Sequence, residues 1–189
     1  MNKYKYTKSV GYQNEKILVL MLVIVMSLTL FVGCGGDGDN GDGTIKGETY
    51  NAGNVSAFVP EGWKAFPVPD VFAEEPNTMD PNALRICKGG ETDLDIFSKP
   101  YVQINYYGED KTLATPSKDF YDNGVDITLI TYGELTWNGF TAESSGTSIA
   151  ILWAEKGDIQ YQLSFTLGAS SGTITLEDAD VKAIIESVK

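Results

Sequence analysis

The sequence predicts an α+β fold, an antiparallel β-sheet packed against a C-terminal helix, and three observations carry that expectation. From Ser148 to Leu167 the chain reads SIAILWAEKGDIQYQLSFTL, two strand-like arms about a Lys156-Gly157-Asp158 turn. The second arm alternates Ile159, Tyr161, Leu163, Phe165 and Leu167 with Gln160, Gln162, Ser164 and Thr166. That period of two belongs to an antiparallel strand buried on one face. At the end of the chain, Val181, Ile184, Ile185 and Val188 recur at helical spacing and form a stripe suited to lie on the sheet. Strands joined by turns, with few helices, define the α+β class.

The remaining elements follow in order. Asn54 to Pro60, NVSAFVP, sets Val55, Ala57 and Val59 on one face of a strand, and PEGW, Pro60 to Trp63, turns the chain. Five of the seven prolines fall between Pro60 and Pro81, so Lys64 to Ala83 reads as a long irregular loop, a kind that is functional or disordered. Leu84 to Lys88, LRICK, is a strand. Tyr101 to Tyr107 alternates Val102, Ile104 and Tyr106 with Tyr101, Gln103, Asn105 and Tyr107. A short helix is expected over Ser117 to Tyr121, and a β-rich run over Asp126 to Leu135. In WNGFTAES, Trp137 to Ser144, the Asn-Gly pair predicts a turn into another strand. Thr175 is the expected helix cap, with Asp178 three residues later as a capping-box variant.

Composition narrows the chemistry. The chain has 189 residues and no histidine, which removes the commonest general base and metal ligand and excludes Ser-His-Asp catalysis. Its two cysteines, Cys34 and Cys87, build neither a Cys-rich zinc site nor a disulfide framework. Residues 1–33 hold four lysines against Glu15; the rest carries 10 basic and 25 acidic residues. Such a body repels phosphate backbones, so no nucleic-acid partner is expected.

The amino terminus reads as an address. Four lysines precede the 16-residue apolar run ILVLMLVIVMSLTLFV, Ile17 to Val32, the layout of a secretory signal. Phe31-Val32-Gly33-Cys34 resembles the bacterial lipobox; glycine and cysteine match, and phenylalanine stands where leucine is usual. The resemblance implies a signal peptide over 1–33 and a diacylglycerol thioether on Cys34. It also implies localisation at the bacterial cell membrane, lipid-anchored and facing outward. Two or three acyl chains anchor stably where one does not. Without cleavage, the apolar run would be a membrane helix with the same topology. With Cys34 acylated, Cys87 has no partner, and its place in LRICK favours burial.

Residues 34–46 pose a choice between a calcium loop and a tether. An EF-hand loop needs oxygen ligands at positions 1, 3, 5, 7, 9 and 12 and glycine at 6. With Asp42 at position 5, Gly38 falls at 1 and Thr49 at 12; with Asp37 at position 1, Gly41 falls at 5 and Asp42 at 6. Both registers fail, and no metal is expected. Gly35 to Gly43 is five Gly, three Asp and one Asn, a flexible acidic tether that spans about 17 Å on average by coil scaling.

Residues 47–189 form the expected single extracytoplasmic domain. Phe58-Val59-Pro60-Glu61-Gly62-Trp63 resembles the opening of PsbP-like domains, and Ile184 to Lys189, IIESVK, is similar to the end of their last helix. That resemblance implies an antiparallel sandwich flanked by helices and a binding role within an assembly. No functional residue of that family has a counterpart here.

No catalytic residue set and no cofactor is expected. Glu91, Asp93 and Asp95 have alternate spacing that a loop could fold around a hard cation, but exposed acids are the default, as for Glu74, Glu75, Glu177, Asp178 and Asp180. Aromatic residues offer a ligand or partner patch at Trp63, Phe66, Tyr101 and Tyr107; the competing reading is that Trp63 and Phe66 plug one end of the sheet. The expectation is therefore a membrane-anchored, non-catalytic binding or assembly module with a protein or small-ligand partner. The alternative is a carboxylate-based hydrolase acting on cell-wall or glycan material, and a calcium-regulated module ranks third.

Overall fold

Every long strand after the first pair joins one antiparallel sheet, and its apolar alternation determines how the domain is layered. The structure, a computed structural model, describes residues 44–108 and 115–189; the lipobox-like segment and almost all of the Gly/Asp stretch lie outside the described residues. The strands are β1 (Gly47–Asn51), β2 (Ser56–Pro60), β3 (Trp63–Pro69), β4 (Met79–Lys88), β5 (Tyr101–Tyr107) and β6 (Asp122–Tyr132). They continue as β7 (Leu135–Ser144), β8 (Thr147–Lys156), β9 (Ile159–Thr166), β10 (Gly168–Ala169) and β11 (Gly172–Thr173), followed by the helix α1 (Ala179–Ser187). Seven strands run in the order β3-β4-β5-β9-β8-β7-β6; β1-β2 and β10-β11 are separate hairpins. The class is α+β, an antiparallel sheet with a C-terminal helix on one face. No helix among the described residues is long and apolar enough to cross a membrane.

The core lies between that sheet and a lid made of β1, β2 and α1. Leu84, Ile86, Val102, Ile104, Trp137, Leu152, Leu163 and Phe165 from the sheet meet Val55, Ala57 and Val59 from β2 and Val181, Ile184 and Ile185 from α1. The lid is tied at its ends. Ser56 donates its N–H to the carbonyl of Lys189 at 3.0 Å, and the N–H of Lys189 returns a bond to Ser56 at 3.1 Å. The N–H of Phe58 donates to Ser187 Oγ at 2.7 Å. Trp63 Nε1 donates to Asp180 Oδ2 at 3.1 Å, which pins the first turn of α1 to the start of β3. The alternations in β2, β5 and β9 and the helical stripe thus face one another.

Four expectations need correction, and one gains detail. Lys64 to Ala83 is not one loop: β3 carries Pro67 and Pro69, and only residues 70–78 separate it from β4. The prolines are tolerated because β3 is an edge strand, and the register shifts between them. Asn138-Gly139 makes no turn and lies inside β7, where Gly139 pairs with Leu152. Glycine is needed there for close approach: a Cβ would strike Leu152 Cδ2 and stand 2.6 Å from the carbonyl oxygen of Ile151. The run Asp126 to Leu135 is β-rich as expected, and it crosses from β6 into β7 through Gly133 (φ +60°) and Glu134. Ser117 to Tyr121 is a 3-10 turn over Lys118–Phe120, too short for an α-helix, with Ser117 Oγ accepting from the N–H of Asp119 at 3.2 Å. Finally, α1 begins at Ala179 with Asp178 as its N-cap. Asp178 reaches backward, accepting from Thr175 Oγ1 at 2.7 Å and from its N–H at 3.3 Å, so Thr175 closes the turn before the helix.

The two edges of the sheet differ. β3 is interrupted by its prolines. β6 has no proline over 11 residues, carries two register shifts, and leaves Val125 and Leu129 each 62% exposed.

Gly139→Ala tests the close approach. The added methyl meets backbone that cannot move aside, so the variant is expected to lose about 1–3 kcal/mol, as overpacked cores do. A urea midpoint unchanged from wild type would show that β7 and β8 have room to spare.

Candidate functional site

The lid covers one face of the sheet; the opposite face holds the candidate site. Strand register lays its residues in rows. One row runs Phe66, Arg85, Gln103, Ser164, Ile151, Phe140 from β3 to β7. The next runs Ala83, Asn105, Gln162, Trp153, Asn138. A third runs Lys64, Cys87, Tyr101, Thr166, Ile149, Ala142. The face is therefore polar at Arg85 of β4 and across β5 and β9, and mainly apolar across β8 and β7. Directly opposed residues in such rows are in reach of one another.

Two short segments fold over opposite corners of this face. The turn after β4 covers Phe66 and Cys87: a Cβ on Gly90 would lie 3.0 Å from the Phe66 ring and 3.1 Å from Cys87 Cβ, and Lys64 Nζ donates to the carbonyl of Glu91 at 2.7 Å. At the other corner Tyr121 packs on Phe140 with ring centroids 5.7 Å apart, and Trp153 meets Phe140 edge-on at 6.3 Å. Lys118 pairs with Asp126 beside them. Arg85, Gln103, Asn105, Gln162 and Ser164 lie between, all half-buried.

Arg85 is the only arginine in the chain. Its Nε donates to Gln103 Oε1 at 2.9 Å, and Gln103 Nε2 donates to Asn105 Oδ1 at 3.1 Å. The guanidinium is thus oriented by a chain of amides. The ion pairs among the described residues are all made by lysines, so Arg85 has no carboxylate partner there. Its two terminal amino groups form a fork with no carboxylate among the described residues. Gln160, at the rim of this face between Tyr107 and Glu155, is 1% exposed, though its place in the alternation predicts a solvent-facing side chain. It donates to Glu155 Oε1 at 3.3 Å, and its own Oε1 has no partner.

The expected aromatic patch does not assemble. Trp63 faces the lid, 8% exposed, with Lys88 over its ring at 5.7 Å. Phe66 is on the opposite face, 7% exposed beneath the turn at Gly90. Both are buried, but on opposite faces rather than together at one end of the sheet. Tyr101 and Tyr107 share the open face but stand at opposite ends of β5, about 20 Å apart at strand rise. Cys34 lies outside the described residues. Glu91, Asp93 and Asp95 gather no ion site, and no group of metal-ligating side chains occurs among the described residues. Asp95 instead accepts from the N–H groups of Glu91 at 2.7 Å and Thr92 at 3.0 Å and pairs with Lys99 at 3.4 Å. Those backbone bonds hold its carboxyl below the usual range. The thiol of Cys87 is fully buried and pushed up, first by burial and then by Asp95, with Lys99 opposing.

The sequence reading passed over Arg85, Gln103, Gln162, Ser164 and Trp153. A signal was present: they occupy the alternate positions of strands whose apolar partners were recognised, and one of them is a residue type used once. A separate cavity of about 510 Å³ is lined by Glu134, Lys156, Tyr161 and Glu186 at the β6–β7 end of the lid. Lys156 pairs with Glu134 there at 3.2 Å. Tyr161 is pushed up by burial and by Tyr106.

An α+β domain with one lidded and one open sheet face is what these observations define. No protein-family model matches the sequence. No curated protein matches it either. Among solved structures, a Bacteroides thetaiotaomicron VPI-5482 protein is similar at a TM-score of 0.43 and 15% identity, over 76% of this chain and 48% of that one. The chain therefore spans about half the length of that protein.

Two measurements test these environments. In a Cys34→Ser chain at pH 8, Cys87 should react with a disulfide reagent only as fast as the protein unfolds. The folded state favours the neutral thiol, a contribution present below the unfolded thiol pKa and lost as pH rises through the folded one. Rapid stoichiometric labelling of the native protein would contradict the burial. The lowered carboxyls of Asp95 and Asp178 work the other way. Their contribution is present above the ordinary value of about 3.9 and lost as pH falls through the folded pKa. Asp95→Asn should lower the urea midpoint at pH 7 and flatten its decline in acid; an unchanged acid limb would show that Asp95 contributes nothing.

Proposed function

We propose that this chain is a membrane-anchored extracytoplasmic lipoprotein whose α+β domain is a non-catalytic binding or assembly module. The observation that carries the binding role is the open sheet face, where the single arginine is aligned by Gln103 and Asn105 and has no carboxylate partner among the described residues. A half-buried guanidinium that costs desolvation and gains no ion pair is ready to accept one from outside. The anchor is supported by the lysines, the apolar run and the Gly33-Cys34 junction, with the Gly/Asp stretch as the tether. The domain then faces outward at the bacterial cell membrane. A PsbP-like sandwich is the finer fold reading, supported by Phe58 to Trp63 at the β2–β3 turn and by a terminal helix on the sheet.

The second reading, a carboxylate-based hydrolase, rests on Glu134 and Glu186 lining one cavity. The Glu134 side chain is 88% exposed and bound to Lys156, the reverse of the apolar pocket that a general acid occupies. The binding reading is therefore preferred.

Expression of the full chain in a bacterial host tests the anchor. Mass spectrometry should find Cys34 as the amino terminus carrying a diacylglycerol, and Cys34→Ser should abolish the lipid and leave residues 1–33 attached, a heavier chain held in the detergent phase by its apolar run. A mature chain with an unmodified Cys34 would overturn the assignment.

A further inference from the structure

We infer that Arg85 is the anchor of a carboxylate site and that the open face takes an acidic saccharide; this rests on the reading of that face as a binding face. With Nε held by Gln103, the guanidinium keeps its two terminal amino groups, the end-on fork that accepts both oxygens of one carboxylate. Lysine would offer only a point charge. Beyond the fork, Gln103, Asn105 and Gln162 each pair a donor with an acceptor, and Tyr101, Ser164 and Thr166 add hydroxyls. Sugar hydroxyls have the same double character, each donating and accepting. Trp153 and Ile149 then border the polar rows on β8, half-exposed and apolar, a surface for the C–H face of a sugar ring. From Arg85 to Trp153 is three strand spacings, about 14 Å across the sheet. The face offers polar groups in ranks set by strand register, which suits the repeated hydroxyls of a chain of sugar rings.

Charge agrees with this choice. The chain carries 26 acidic residues, yet the rows through Arg85, Asn105 and Tyr101 contain none between β3 and β8. Lys64 stands at the corner of the same face, engaged with the carbonyl of Glu91. An anion therefore meets the Arg85 guanidinium within these rows, with Glu155 only at the rim of the face, and repulsion over most of the remaining surface.

Calorimetric titration of the full chain in detergent micelles tests the inference, with trigalacturonate, its fully methyl-esterified form and triglutamate as probes. Trigalacturonate should bind. The ester, and trigalacturonate on Arg85→Gln, should each bind about 10- to 100-fold more weakly, the loss of one charge-assisted pair. Gln103→Leu should weaken binding less, and the thermal midpoint should stay constant in both variants. No heat from trigalacturonate at millimolar concentration, or equal affinity for acid and ester, would overturn the carboxylate site; the second comparison needs no variant. Tighter binding of triglutamate would overturn the saccharide class. Ester binding that falls in Gln162→Ala and not in Arg85→Gln would keep the face as a binding face while removing Arg85 from it.

Discussion

Two backbone bonds between Ser56 and Lys189 close the lid that covers the apolar face of the sheet. They join the second strand to the last residue, so the β1–β2 hairpin and α1 become one lid although about 120 residues separate them in the chain. Neither part buries its apolar side alone. β2 offers Val55, Ala57 and Val59, and α1 offers Val181, Ile184 and Ile185; together they meet the apolar face of the sheet. Burial of such side chains contributes about 1.5–3 kcal/mol each. The lid saturates one face, and whatever the chain places on the other is free of that demand.

That freedom explains how the sequence could be read for its core and misread for its site. β5, β9 and α1 were legible because period two and period 3.6 are local patterns. The prolines of β3 were read as loop because a strand's position in the sheet is not local: only at an edge does the missing N–H matter little. Asn138-Gly139 was read as a turn because the need for a missing Cβ is set by Leu152 and Ile151 on another strand. The same holds for the site. Trp63 and Phe66 lie close in sequence and looked like partners, yet they fall on opposite faces. Arg85 sits inside LRICK, a stretch read only for its apolar members. Its importance comes from Gln103, which register alone brings opposite.

The polar face is organised by short-range order. Amide to guanidinium and amide to amide, Asn105, Gln103 and Arg85 form a relay that uses strand spacing as its ruler. Side chains aligned in this way lose less freedom on meeting a ligand than mobile ones do. The aromatic group at Tyr121, Phe140 and Trp153 stiffens the far side, and the turn over Cys87 and Phe66 closes the near corner.

The unlike edges of the sheet have a separate consequence for self-association. A sheet extends by offering backbone donors and acceptors to a neighbour, and β3 has given up two of its donors to proline. β6 keeps its backbone intact over a longer run, broken only by bulges. Such bulges twist a margin away from flat pairing, so the two edges of this sheet resist extension by different means, proline on one side and bulges on the other.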